Sequence, residues 1–218
     1  MLERPDKIPF TDGNSLAFAI KTTSPAQRHI AILYRHESGA PVLLHLEWHH
    51  KLKLENWDST YWWSNVAGID VENQETFMDW FEDISSGAQA GMCPIPYSAY
   101  FRPKDNFDAN GKFIARQDGT GLTCATFVLA AFADWSYELI DADNWPRRPE
   151  DYSWWRKILA LLRRYTPRTH FLEQVTYRHL LRRFRPEEVL AAGQIYSGVP
   201  SNFSMVQAHM VILNPHLP

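Results

Sequence analysis

The chain has 218 residues, 45% of them hydrophobic, and a formal net charge of −3. That is enough for one sizeable core and short for two full domains. The net negative charge argues against a nucleic-acid binder, and no apolar run approaches the roughly 18 residues that a membrane span needs. Two cysteines, Cys93 and Cys124, are too few for a secreted disulfide scaffold and fit a reducing compartment.

Residues 1–7 show no basic stretch followed by an apolar one, so the expectation is cytoplasmic synthesis without a signal peptide. Export by machinery that ignores such leaders stays open. Residues up to about Ser24 read as a polar lead with a turn at Thr11, Asp12, Gly13 and Asn14. Residues 29–34 and 41–48 read as the two strands of a hairpin turned at Glu37, Ser38, Gly39 and Ala40. Side chains alternate, so His45 and Glu47 share a face with Leu43, while Leu44 and Leu46 take the other. An aromatic loop follows over 57–65, a candidate cleft wall. A helix is predicted over 74–84, with Phe77, Trp80, Phe81 and Ile84 on its buried stripe. Strands are predicted over 94–101 and 112–115, the prolines of the first suiting a strand start or a sheet edge.

Residues 121–135 are the chemical centre of the chain. A Gly- and Thr-rich turn (Asp118, Gly119, Thr120, Gly121) runs into a helix in which Cys124, Phe127, Val128, Ala131, Phe132 and Trp135 recur at helical spacing. Thr120 or Thr123 is the expected N-cap. A thiol in the first helical turn meets free backbone N–H groups and the positive end of the macrodipole, both of which favour thiolate. The same position also suits a small core residue, since free cysteine is among the most buried types. Beyond a break at 141–149, amphipathic basic helices are predicted over 151–165 and 169–183. A third opens at Arg185 and Pro186 and stops at Gly193, and a last strand is predicted over 204–214. Residues 147–185 carry eleven Arg and Lys, read as the solvated faces of two helices. The plan is α+β, a small, mostly antiparallel sheet packed against the Cys124 helix.

A cysteine nucleophile needs a base, and the base needs an orienting group. Papain-like sites place the cysteine at a helix start, the histidine on an adjacent strand and the polar orienter on the next strand. The segment from Gly121 to Val128 resembles the Gly-x-Asp-Cys-Ser-Gly-Phe-Val signature of NlpC-type cell-wall peptidases, with Thr123 and Thr126 in place of the usual Asp and Gly. His29, Ile30, Ala31, Ile32, Leu33 and Tyr34 resemble that family's histidine strand, and Leu43 to Leu46 the next strand with its polar residue His45. Histidine precedes cysteine here, the order of the circularly permuted branch that includes lecithin:retinol acyltransferase-like proteins. The likeness covers roughly residues 25–50 and 95–135 and leaves 140–203 without a counterpart.

The resemblance implies a single papain-like domain over 1–218, with 140–203 a helical insertion or extension. It implies a cysteine peptidase or amidase in which Cys124 attacks as thiolate, His29 holds the pair as imidazolium and protonates the leaving group, and His45 orients the ring. No cofactor is implied. A peptide or peptidoglycan fragment is the expected substrate, and the missing leader suggests an antibacterial effector with a cognate immunity or delivery protein. A lipid or thioester acyltransferase is the enzymatic alternative, and a binding module in which Cys124 only packs is the non-enzymatic one. His209 is a rival base, read as heading an apolar strand. Glu47 is a rival third residue. His45, Glu47, His49 and His50 are dense enough for zinc but lack His-Glu-x-x-His spacing. Cys93 reads as structural.

Overall fold

The computed structural model describes residues 2–10, 15–25, 27–89, 94–116 and 119–218. Five strands, β1 (Leu16–Ser24), β2 (Gln27–Arg35), β3 (Pro41–Trp48), β4 (Lys51–Asn56) and β5 (Trp62–Asn65), form one antiparallel sheet in the order β4-β3-β2-β1-β5. Alternation divides its two faces. Ile30, Ile32 and Tyr34 of β2 join Leu44 and Leu46 of β3 in the main core, while Ala31, Leu33 and Leu43 join a smaller cluster with Phe10, Tyr61 and Trp63. Histidines 29 and 45 have the parity of the smaller cluster.

The main face is covered by helices. Among the described residues there are six, α1 (Val71–Gln89), α2 (Cys124–Ala133), α3 (Asp151–Tyr165), α4 (Arg168–Thr176), α5 (Pro186–Ile195) and α6 (Phe203–Leu213). Phe77, Trp80, Phe81 and Ile84 of α1 are buried, as their spacing predicts. The α2 helix, mean composition almost wholly apolar, packs against both β2 and β3. Residues of the 140–203 region belong to the same core: Val189, Leu190, Ala191 and Ala192 of α5 lie in the main cluster beside β1 and β2. Among the described residues no helix is long and apolar enough to cross a membrane.

Several expectations fail for identifiable reasons. The lead before Ser24 is not loop but β1, an interior strand, because Leu16, Ala17, Phe18, Ala19 and Ile20 are buried on both faces and so show no alternation. Half of the aromatic loop is β5, with Tyr61 and Trp63 turned into the smaller core instead of lining a cleft. Residues 94–101 and 112–115 make only isolated bridges, Tyr97 to Leu122 and Phe107 to Phe113. Pro94 and Pro96 lack the N–H groups a ladder requires. The predicted strand over 204–214 is α6, capped by Asn202 accepting from Met205 N–H, with Val206, Met210 and Leu213 on its buried side. The expected turn at 11–14, the residue Asp118 and Cys93 lie outside the described residues.

One close approach sets the path into α2. Leu122 N–H donates to the Pro96 carbonyl at 2.9 Å and Ser98 N–H to the Leu122 carbonyl at 3.1 Å. Gly121 lies so close that a Cβ there would stand 2.2 Å from the Pro96 oxygen. Gly121→Ala must therefore push two backbones apart. Overpacking of this kind costs about 1–3 kcal/mol, to be read as a lowered urea midpoint with the slope unchanged.

Candidate active site

Cys124 is the first residue of α2. The cap in front of it is a reciprocal box: Thr123 Oγ1 accepts from Thr126 N–H at 3.2 Å, and Thr126 Oγ1 accepts from Thr123 N–H at 2.7 Å. Of the two cap candidates, Thr123 serves. The two threonines that depart from the NlpC signature are thus the pair that fixes where the helix begins. Cys124 is half-buried, and the backbone N–H groups of Ile30, Ala125 and Cys124 itself favour its ionised form. Ile30 directly follows His29. It lies beyond the last β2–β3 rung, Ile32 opposite Leu44, where the two strands cease to pair. The helix therefore touches β2 where the ladder has opened.

His29 and His45 pair with each other, and among the described residues no hydrogen bond or ring contact joins either of them to Cys124. His29 Nε2 lies 2.9 Å from His45 Nδ1, and His45 Nε2 lies 3.2 Å from Glu55 Oε2 on β4. The protons in this chain can be assigned from its end. An ionised carboxylate only accepts, so His45 Nε2 carries the hydrogen and donates. A neutral His45 then offers Nδ1 as acceptor, and His29 must donate through Nε2. The neutral His29 ring is left with its lone pair on Nδ1, the nitrogen not engaged by His45. Glu55 in turn is held by Lys53 at 3.0 Å, which also pairs with Glu47 at 3.1 Å.

Burial disfavours charge on the thiol and on both histidines. Burial pushes the Cys124 thiol up to about 11, although the three backbone N–H groups pull the other way. Burial, then the neighbouring His45 and Lys21, push His29 down to about 3, opposed by Glu55. His45 also falls below its ordinary value through burial, with the Glu55 hydrogen bond opposing. Glu55 is held low, first by its bond to Lys53. Burial thus favours the neutral thiol and neutral imidazoles, against the thiolate that the helix position favours and the imidazolium that the resemblance implies.

Two residues of the centre escaped the sequence reading. Glu55 sits in the alternation Lys51, Leu52, Lys53, Leu54, Glu55; that period of two marks β4, with Lys53 opposite His45 in register and Glu55 two pairs along, opposite Leu43, on the same face. Tyr61, 1% exposed, has its ring 6.4 Å from His29, and its hydroxyl is buried with no hydrogen-bond partner. Lys21 Nζ stands over the same ring at 4.2 Å.

The other candidates go elsewhere. Glu47 pairs with Lys53, and no contact joins it to His29. His49 and His50 form the β3–β4 turn and stack on each other at 3.8 Å, and His49 approaches His170 of α4 at 4.9 Å. Among the described residues no group of three or more His, Cys, Asp or Glu is arranged to hold a metal ion. His209 lies on α6, not at the head of a strand, and its Nε2 contacts Gln194 Oε1 at 2.7 Å. The buried Gln174 of α4 braces the approach to α2: its Nε2 donates to the Gly119 carbonyl at 2.6 Å and its Oε1 accepts from Ala99 N–H at 3.3 Å. Compared with known proteins, the chain matches no family model, and neither the curated proteins nor the solved structures contain a significant match to it.

Proposed function

We propose that the protein is a cysteine hydrolase of papain-like, permuted NlpC type that cleaves an amide bond, with Cys124 as nucleophile, His29 as base and His45 as the residue that positions it. The observation that carries this reading is the hydrogen-bonded chain from Glu55 through His45 to His29, the two histidines lying on the strands against which the Cys124 helix packs.

The reaction starts from thiol and imidazole. As Cys124 Sγ attacks the carbonyl carbon, its proton passes to His29 Nδ1, and the new imidazolium is stabilised through His45 toward the Glu55 carboxylate. The oxyanion is taken by backbone N–H groups at the start of α2. His29 then protonates the leaving nitrogen, the C–N bond breaks, and a thioester remains. Water, deprotonated by His29, attacks that thioester, releasing the acid and restoring the thiol.

Cell-wall peptides are the substrate class that the family resemblance favours, and delivery into a competing cell is the setting. Expression with and without a periplasmic leader tests this. Lysis confined to the leader-bearing wild type, and lost in Cys124→Ala, is the expected outcome. Growth unaffected by all forms would remove the cell-wall reading. Glu55 is half exposed, and an exposed ion pair is worth roughly 0–1 kcal/mol. Glu55→Gln should therefore lower kcat by only about two- to fivefold, measured on the same peptide substrate.

A further inference from the structure

Away from Cys124, the helical region encloses a cavity of about 340 Å³ between α3, Ala99 and the stretch 178–183 that follows α4. None of its lining residues belongs to the thiol–histidine centre. Five arginines line it, Arg147, Arg148, Arg178, Arg182 and Arg183, against a single carboxylate, Asp151. This is a concentrated positive site in a chain of net charge −3.

The carboxylate is already spent. Asp151 receives Arg148 Nε at 2.6 Å and Arg185 Nη2 at 2.8 Å, with Arg183 Nη1 at 3.4 Å, and Glu188 is taken by Arg148. Arg147, Arg178 and Arg182 make no ion pair among the described residues. Two donors are also orphaned: Arg182 Nε and Trp155 Nε1 are buried without a hydrogen-bond partner. A buried donor left unmet is costly, so the cavity as it stands is short of acceptors and of negative charge. The solvated-helix account of the basic stretch covers the outer face of α3 but not the buried donors of Arg182 and Trp155, with exposed Arg147 and Arg178 at the cavity rim.

The complement is specific in kind. Forked guanidinium groups converging from several directions match the oxygens of phosphate better than a point anion. More than one unpaired arginine calls for more than one phosphate charge. At the mouth, the rings of Tyr152 and Trp155 lie 5.5 Å apart, Tyr152 61% exposed, and supply a wall for an organic moiety. We infer that this cavity is a binding site for a polyphosphorylated small molecule, held by Arg147, Arg178 and Arg182 with Trp155 Nε1 donating to it.

Calorimetric titration of the full chain at 0.15 M salt with ATP, pyrophosphate and inositol hexakisphosphate tests the inference. One-to-one saturable binding of at least one probe is expected, weakened about tenfold or more by Arg182→Gln and by the rim variant Arg178→Gln. Arg156→Gln, on the exposed side of α3, should leave it unchanged. ATP binding tighter than pyrophosphate identifies a nucleotide stacked on the aromatic wall. Preference for inositol hexakisphosphate, with ATP no better than pyrophosphate, identifies a ligand without a stacking base. Absence of binding by all three probes would overturn the inference. So would binding that Arg156→Gln weakens as much as the cavity variants do, since that describes only diffuse charge. Arg178 is exposed, so its variant remains informative if Arg182→Gln fails to fold.

Discussion

Cys124→Ala should abolish hydrolysis, lowering kcat by at least about 10³-fold, because no other group supplies a covalent route to the acyl-enzyme. The fold should survive it. The alanine keeps the helix start, since the cap is made by Thr123 and Thr126 and not by the thiol. Loss of one sulfur atom at a half-buried position costs little packing. Circular dichroism and the urea midpoint should thus be close to wild type while turnover vanishes. His29→Ala should be comparably damaging, and His45→Ala less so. Replacing His45 leaves the base in place but removes the acceptor that directs its Nε2 hydrogen and hence its Nδ1 lone pair. A His45→Gln or His45→Asn variant that restores part of the kcat lost in His45→Ala, with KM unchanged, would mark a positioning role that simple core packing does not explain. Hydrolysis that persists in Cys124→Ala would end the proposal.

How much of this could be read from the residues depends on what kind of signal each element carries. The β2–β3 hairpin and four of the six positions read for α2 (Phe127, Val128, Ala131 and Phe132) were legible because alternation and 3.6-residue spacing report directly on a half-buried strand and a buried helix, whereas Cys124 is half-buried and Trp135 lies exposed beyond the helix end. Helix α3 was legible to its ends, Asp151 and Tyr165, since its apolar stripe and basic face separate cleanly. Strand β1 was not, because burial on both faces erases the period that marks a strand. Helix α6 was misread for the opposite reason. Its buried residues Val206, Met210 and Leu213 are mixed with exposed Val211 and Ile212, and β-branched residues at the end suggested a strand. In the site, His29 and His45 were accessible to reasoning because both lie on well-patterned strands. Their protonation states were not. Those depend on Glu55, supplied by a strand that went unrecognised, and on desolvation that only packing reveals.

That protonation pattern yields the second large effect, in the pH dependence of thiol alkylation. A cysteine held as thiolate by an imidazolium reacts with iodoacetamide quickly even near pH 6, and the rate collapses when the histidine is removed. Burial here acts in the other direction on both partners, raising the thiol to about 11 and lowering His29 to about 3. For an acid whose pKa is raised, the neutral form persists to higher pH, so the thiolate fraction at pH 7 lies about a hundredfold below that of an unperturbed thiol of pKa 9. The alkylation rate should accordingly be very low at pH 6 and climb about tenfold per pH unit from pH 7 toward 10. His29→Ala should change this profile little while removing turnover, since the imidazole acts only when the carbonyl is in place to accept the sulfur. A fast plateau at pH 5–6 that disappears in His29→Ala would show a preformed ion pair and refute the neutral resting state, leaving Cys124 and His29 in their roles. Binding of a substrate peptide should then raise the alkylation-protected fraction without altering the pH slope of the free enzyme. On the proposed function, the half-buried thiol stays inert at rest and becomes nucleophilic only against a bound carbonyl, which keeps it from being consumed before its substrate arrives.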